Sequence, residues 1–228
     1  MASSLKLNEV FYSIQGEGIY QGEPTIFVRL QGCNLKCTFC DTKYATEGKA
    51  KRSIEPVDLA RELQRDFGLY NKHICITGGE PLLQDSKVYS LLTFLSTFNC
   101  RVSIETNGSL IPPTQLMSSL VNSWVVDYKL PSSGSFKSFN KEWYRYLQNF
   151  DQLKFVASNS EDLKIVLQAI RTLRKTNIYK PTILISPVFN GEDLDKEFCN
   201  TCIEFCKTNN CRFSLQIHKV VWGVKKGV

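Results

Sequence analysis

What the chain lacks bounds it first. No apolar run approaches the ~18 residues of a membrane span, and the opening MASSLKLNEV carries no apolar signal-peptide core. The expectation is a cytoplasmic protein with no membrane partner. Without a secretion signal, the nine cysteines do not read as a disulfide framework, and their odd number points instead to metal or redox chemistry. A dense basic face with interleaved aromatics is missing too. The net charge of +6 comes from 28 basic and 22 acidic residues, spread in small groups such as Lys49, Lys51 and Arg52, or Arg171, Arg174 and Lys175. No direct nucleic-acid binding is expected, and the same excess suits an anionic small substrate. Internal repeats and low-complexity linkers are absent as well, so residues 1–228 read as one domain.

What is present is alternation. The runs TIFVRL (25–30), HICIT (73–77), RVSIET (101–106), WVVDYK (124–129), LKFVA (153–157), TILIS (182–186) and RFSLQI (212–217) read as strands. Between them VDLARELQRDFG, KVYSLLTFLSTF, EDLKIVLQAIRTLRK and DLDKEFCNTCIEFCK carry apolar residues at helical spacing. Segments 107–122 and 131–151 are poorer. The first holds Pro112–Pro113 and the second a Ser/Gly/Phe/Lys stretch, so irregular crossovers are expected there. Strands alternating with helices predict parallel pairing through right-handed crossovers. The fold class is therefore α/β: a single domain, an open or incomplete TIM-like β/α barrel with reduced helix content.

The carboxyl ends of these strands carry QGCNLKCTFCDT, TGGEP, ETNG, DYKLPSSG, SPVFNGED and IHK. Barrels and open parallel sheets assemble their sites on that edge, so the active site is expected there. In the first segment Cys33, Cys37 and Cys40 follow a C-x3-C-x2-C spacing, and Cys75 is the next cysteine. Three thiolates in one short loop can hold three irons of a cubane cluster. The fourth iron is then free for an exogenous molecule, as catalytic metal sites keep a position open. A zinc loop completed by Cys75 or His73 is the other reading of the same spacing. Cys199, Cys202 and Cys206 fall at i, i+3 and i+7 of one helical segment beside Ile203, and Cys211 follows. That is a core stripe, because seven residues of helix rise about 10.5 Å, too far for one small cluster.

C-x3-C-x2-C after one strand and GGEP after the next resemble the radical S-adenosylmethionine superfamily. More narrowly, VFYSIQGEGIYQGEPTIFVRLQGCNLKCTFCDT resembles the 7-carboxy-7-deazaguanine synthase family, and TGGEP, SIETNG and SLQIHKVVWG extend the similarity over most of the chain. YSIQGEG and CDT are the discriminating elements. The resemblance implies a reduced, incomplete barrel that binds a [4Fe–4S] cluster, S-adenosylmethionine and Mg2+. It implies ring contraction of 6-carboxy-5,6,7,8-tetrahydropterin to 7-carboxy-7-deazaguanine with loss of ammonia, on the path to the tRNA base queuosine. A carboxylated pterin substrate, an electron donor such as flavodoxin or ferredoxin, and a homodimer come with it.

Residue roles follow from the same resemblance. Cys33, Cys37 and Cys40 would hold the cluster and Thr42 the magnesium. Phe39, Cys40, Asp41, Gly78, Gly79, Glu80, Glu105, Asp127, Tyr128 and Lys129, with Ser186, Pro187, Val188 and Phe189, would surround S-adenosylmethionine. Ile14, Gln15, Gly16, Glu17, Arg29, Thr77 and His218 would surround the substrate. The residue types suit these roles. Gly78 and Gly79 lack a Cβ, so their backbone can approach a ligand; a guanidinium at Arg29 matches a carboxylate bidentately; and the Thr42 hydroxyl is an oxygen ligand of the kind magnesium takes. Two other functions share the cysteine loop, a glycyl-radical-enzyme activase and a non-catalytic iron–sulfur electron carrier. YSIQGEG and QIHK oppose the first, and the missing fourth cysteine opposes the second.

Overall fold

The computed structural model describes residues 4–189, 192–223 and 225–228, so Asn190 and Gly191 of the SPVFNGED segment lie outside the described residues. In chain order the elements are β1 (Leu5–Ile14), β2 (Pro24–Leu30), α1 (Lys43–Thr46), β3 (Arg52–Ile54), α2 (Pro56–Phe67), β4 (His73–Gly78) and α3 (Asp85–Leu95). There follow β5 (Arg101–Thr106), α4 (Gln115–Ser118), β6 (Ser123–Asp127), α5 (Trp143–Tyr146), β7 (Gln152–Ala157), α6 (Ser160–Thr176), β8 (Thr182–Pro187), α7 (Lys196–Asn209), β9 (Arg212–Phe213) and α8 (Ile217–Trp222). Among the described residues, nine strands form one sheet in the order β3-β1-β2-β4-β5-β6-β7-β8-β9. It does not close: β3 and β9 are its two edges.

From β2 through β9 the neighbours are parallel, as the alternation predicts. The other end differs from the sequence expectation. β1 runs antiparallel to both β2 and β3, and neither β1 nor β3 was expected. β3 is only three residues long, and β1 mixes buried, half-buried and exposed positions without clean alternation. The last predicted strand, 212–217, shrinks to the two residues of β9. The chain leaves the sheet at Ser214, whose N–H donates to Ile185 O (2.9 Å), and Ile217 N–H donates to Gly16 O (3.1 Å) as α8 begins. His218 therefore stands on a helix laid beside the β1–β2 connection, not on a strand end.

The helices cover the outer face of the sheet with the residues their periodicity selects. Leu59, Ala60 and Leu63 of α2, Val88, Leu91, Leu92 and Leu95 of α3, and Leu163, Val166, Ala169, Ile170 and Leu173 of α6 are all buried. The Asn159 side chain caps α6 by accepting from Asp162 N–H, and Asp195 caps α7 by accepting from Phe198 N–H. Only short α4 and α5 occur in the two segments expected to be irregular. An aromatic group packs there instead, with Trp143 5.7 Å from Trp124 and 5.1 Å from Tyr146.

The inner face is polar at its lower end. His73 lies between two hydroxyls, Nδ1 at 3.0 Å from Thr25 Oγ1 and Nε2 at 2.8 Å from Ser103 Oγ, and burial lowers its pKa to about 4. It stays neutral. Gln152 donates to Ser123 Oγ (3.2 Å) and accepts from Ile19 N–H (3.0 Å), tying the β1–β2 connection into the barrel interior. That connection closes the floor, and the upper half of the inner face is left for the site.

On α7, Cys199, Cys202 and Cys206 are buried, with Cys202 and Cys206 inside the main apolar cluster. The core-stripe reading of these cysteines predicts that Cys202→Ser costs about 1–3 kcal/mol of stability through a buried hydroxyl without a partner. Urea unfolding of both proteins measures it. An unchanged midpoint would place Cys202 outside the packed core.

Candidate active site

The upper ends of the parallel strands and the loops that follow them enclose a cavity of about 480 Å³. Alternation along the strands sends Phe27 and Arg29 of β2, Thr77 of β4, Glu105 of β5, Val125 and Asp127 of β6, and Lys154 and Val156 of β7 into it. The structure brings most of the expected residues to this one wall. Ile14, Gln15, Gly16, Glu17, Arg29, Thr77 and His218 line it with Cys33, Cys37, Phe39, Cys40, Asp41 and Thr42, and so do Gly78, Gly79, Glu105, Asp127, Lys129 and Val188.

Five expected residues do not line it. Glu80 is fully buried, accepting from Leu82 N–H (2.9 Å), Thr106 Oγ1 (2.9 Å) and Asn107 N–H (2.7 Å). Its carboxylate ties the end of β4 to the end of β5 and has no reach to spare. The Tyr128 ring packs between Phe139 (4.4 Å) and Phe155 (5.2 Å). Ser186 and Pro187 finish β8 as buried residues, and Phe189 is buried with its carbonyl accepting from Lys219 Nζ (3.1 Å). The upper end of β8 thus carries only Val188 into the cavity.

The cysteine loop is pinned by the end of β4. Gly79 N–H donates to Leu30 O (3.1 Å), Glu80 N–H to Gly32 O (2.8 Å), and Gly32 N–H to Ala45 O (2.8 Å). A Cβ on Gly78 would run into the Leu30 backbone, and one on Gly79 into Gly32 O. Gly78 also has φ +144°, which side-chain-bearing residues rarely adopt. The sequence reading gave these glycines to an approaching ligand; contact with the neighbouring backbone is a nearer cause.

The three thiols of the loop are free and half-buried. Cys33 Sγ accepts from Leu35 N–H (3.4 Å) and Asn107 Nδ2 (3.7 Å), Cys37 Sγ lies 3.7 Å from Ser135 Oγ, and Cys40 Sγ lies 3.7 Å from Thr42 Oγ1. Burial, with Glu80 close by, pushes the Cys33 thiol up. Among the described residues no three Cys, His, Asp or Glu side chains gather as one mononuclear ion requires. Three separated thiols on one cavity wall fit a polynuclear cluster with one thiolate per iron. The zinc alternative loses both of its completing ligands. His73 is held by two hydroxyls below the site, and Cys75 is fully buried with Gln15 Nε2 3.8 Å from its sulfur.

Across the cavity stand charged groups with defined partners. Arg29 Nε donates to Glu9 Oε1 (2.8 Å), which also accepts from Tyr44 OH (2.8 Å), and the guanidinium lies over the rings of Phe11 and Tyr44. Its terminal nitrogens make no hydrogen bond among the described residues, so the fork is open to an anion. Glu105 accepts from Thr77 Oγ1 (2.9 Å) and Gln15 Nε2 (3.2 Å). His218 packs so tightly on Gly16 that any Cβ there would strike its ring. Glu17 accepts from Lys154 Nζ (2.7 Å) and Gln216 Nε2 (2.6 Å). Burial alone would raise its pKa, but Lys154, His218 and the Gln216 hydrogen bond outweigh that and bring it to about 2. The carboxylate is ionised throughout the working range of pH.

Several lining residues were not singled out from the sequence. Lys154 is a lysine inside the otherwise apolar run LKFVA, on the same face as Gln152 and Val156, and that parity is a readable signal. Asn107 lies in ETNG and Gln216 and Lys219 in QIHK, segments the sequence marked without giving these three residues a role; the fold places them beside the loop and α8.

Comparison with known proteins follows this geometry. Residues 27–202 match the Radical SAM superfamily. A 7-carboxy-7-deazaguanine synthase of Clostridium acetobutylicum is 37% identical over 97% of this chain and 97% of its own. The enzyme of that name from Methanospirillum hungatei is 36% identical over 96% of this chain and 86% of its own, and that from Escherichia coli K12 30% identical over 93% and 96%. The crystal structure of QueE from Escherichia coli superposes with a TM-score of 0.76 at 25% identity, covering 93% of this chain and 94% of that one. The match over residues 27–202, the identity over nearly the whole chain and the shared fold agree: the chain belongs to the radical SAM superfamily and, within it, to the 7-carboxy-7-deazaguanine synthase family.

Proposed function

We propose that the chain is a radical S-adenosylmethionine lyase that contracts the ring of 6-carboxy-5,6,7,8-tetrahydropterin to 7-carboxy-7-deazaguanine with loss of ammonia, a step toward queuosine. The observation that carries this reading is the meeting of a three-thiol loop and an open, buried guanidinium on one cavity. The chain acts as one domain, in the cytoplasm, and as a homodimer. No helix among the described residues is long and apolar enough to cross a membrane.

Cys33, Cys37 and Cys40 hold the [4Fe–4S] cluster. When bound, the cluster and S-adenosylmethionine supply the one-electron chemistry that removes hydrogen from carbon 6 of the pterin. An electron donor of the flavodoxin or ferredoxin kind would be its redox partner. Everything else is the work of the chain. Arg29 takes the substrate carboxylate with its two free nitrogens, held from behind by Glu9. Gln15 and Thr77 fix Glu105. Asp127, joined to Lys129 (2.8 Å), faces the cofactor half of the cavity. Thr42, next to the last cysteine of the loop, offers its hydroxyl to Mg2+, which prefers oxygen ligands and keeps several waters. Apolar walls from Phe11, Phe27, Phe39 and Val156 keep water from the reacting atoms.

Anaerobic reconstitution with iron and sulfide, then mass analysis of the products from the carboxylated tetrahydropterin, tests the whole reading. Formation of 7-carboxy-7-deazaguanine supports it. Deoxyadenosine without the deazaguanine would favour the activase, and no deoxyadenosine under reducing conditions would favour the electron carrier.

Arg29→Lys keeps the charge and loses the planar fork. It should weaken substrate binding by about 1.5–3 kcal/mol, the range of charge-assisted hydrogen bonds, while iron content stays at the wild-type level. Wild-type affinity in this variant would remove Arg29 from the substrate site. For magnesium, turnover should rise with added Mg2+ and fall on chelation. Thr42→Ala should blunt that response and Thr42→Ser retain most of it. A Thr42→Ala enzyme with the full magnesium response would end the assignment.

A further inference from the structure

Lys154 has a place in the site that the function does not yet use. Its side chain is only 13% exposed and lines the cavity from the middle of β7. The ammonium lies 2.7 Å from Glu17 Oε2 and 3.8 Å from Asp127 Oδ2. These carboxylates belong to different parts of the fold, Glu17 to the β1–β2 connection on the substrate side and Asp127 to the end of β6 on the cofactor side. Both continue into further contacts. Glu17 Oε1 accepts from Gln216 beside α8, and Asp127 Oδ2 accepts from Lys129. Asp127 Oδ1, by contrast, is shielded from solvent and has no hydrogen-bond partner among the described residues, although the residue lines the cavity. A buried carboxylate oxygen without a donor is unfavourable, so the charge of Asp127 rests on the two ammonium groups at its Oδ2.

We infer that Lys154 is a positioning residue: it holds the Glu17 and Asp127 carboxylates, charged and fixed, one on the substrate side of the cavity and one on the cofactor side. The inference rests on the ring-contraction reading. Lys154 acts through the carboxylates, not on the reacting atoms, since both of its ion-pair contacts are to them.

The sign of the effect follows from what surrounds Glu17. It faces Lys154 from β7 and His218 and Gln216 from the C-terminal segment, while Asp127 of β6 and Glu105 of β5 bear on Lys154. With the ammonium gone, the largest influence opposing burial is lost, and the Glu17 pKa rises. The carboxyl is then neutral toward low pH and regains its charge as pH rises. A structural role for Lys154 would weaken binding equally at every pH.

The test measures the affinity of the reconstituted, S-adenosylmethionine-loaded enzyme for 6-carboxy-tetrahydropterin by anaerobic calorimetry, from about pH 6 to about pH 8.5. Wild type, Lys154→Met, Glu17→Gln and the double variant are compared. Lys154→Met should bind at least about tenfold more weakly than wild type at the acid end, and the gap should narrow as pH rises. The double variant has no uncompensated carboxylate at position 17, so it folds even where Lys154→Met does not. Its affinity should equal that of Glu17→Gln at every pH. A double variant clearly weaker than Glu17→Gln, or a Lys154→Met loss equal at all pH values, overturns the inference alone. Wild-type enzyme that fails to bind the pterin overturns the ring-contraction reading and this inference with it.

Discussion

The site depends on one close backbone contact, that between the end of β4 and the turn after β2. Gly79 N–H meets Leu30 O and Glu80 N–H meets Gly32 O, at a separation no Cβ on Gly78 or Gly79 would allow. From this contact the loop that carries the three cysteines takes its path. Glu80 then turns inward and binds Thr106 and Asn107, so the same segment also locks the end of β5. Asn107 closes the circuit by donating to Cys33 Sγ. A loop with little regular structure is thereby held by two neighbouring strands, which gives its three thiols the rigid support that a precise site requires.

The second constraint is charge in a buried place. The inner face carries Arg29, Glu105, Asp127 and Lys154, which could not stay ionised there singly. Two of them, Lys154 and Asp127, end a chain of ion pairs and hydrogen bonds that passes through the neutral amide of Gln216. Asp41 meets Lys219 (3.3 Å), Lys219 meets Gln216 (2.8 Å), Gln216 meets Glu17, Glu17 meets Lys154, and Lys154 meets Asp127. This chain of contacts runs from the cysteine loop across the base of α8 and the β1–β2 connection to β6. It seats α8 over the barrel mouth and keeps His218 against Gly16. The incomplete barrel can hold a polar interior because these buried charges have partners.

Much of this was legible in the sequence, and for identifiable reasons. Apolar runs at period two and helices at period 3.6 gave the parallel half of the sheet, and strand-end chemistry located the cavity. Loss of helix in 107–122 and 131–151 showed in Pro112–Pro113 and the serine-rich stretch. β1 and β3 escaped, since one mixes its burial and the other has three residues. The end of the chain was read as a strand because RFSLQI alternates, whereas docking of Ile217 against Gly16 bends it into α8. Resemblance placed Glu80, Tyr128 and the Ser186–Phe189 stretch around the cofactor. Their hydrogen bonds and packing, set by residues distant in sequence, turn all but Val188 away from the cavity. Lys154 shows the opposite case, a residue whose role exists only once β6, β7 and the β1–β2 connection meet.

The most direct test of this account is the iron content of Gly79→Ala after anaerobic reconstitution, read with its cluster absorption and far-ultraviolet circular dichroism. The variant adds one methyl group and removes no proposed ligand. If the close contact at the end of β4 sets the path of the cysteine loop, the variant should keep the wild-type circular dichroism and fall well below the about four irons per chain of a full cluster. A Gly79→Ala protein that loads the same iron with the same absorption as wild type would contradict the claim that this contact builds the site.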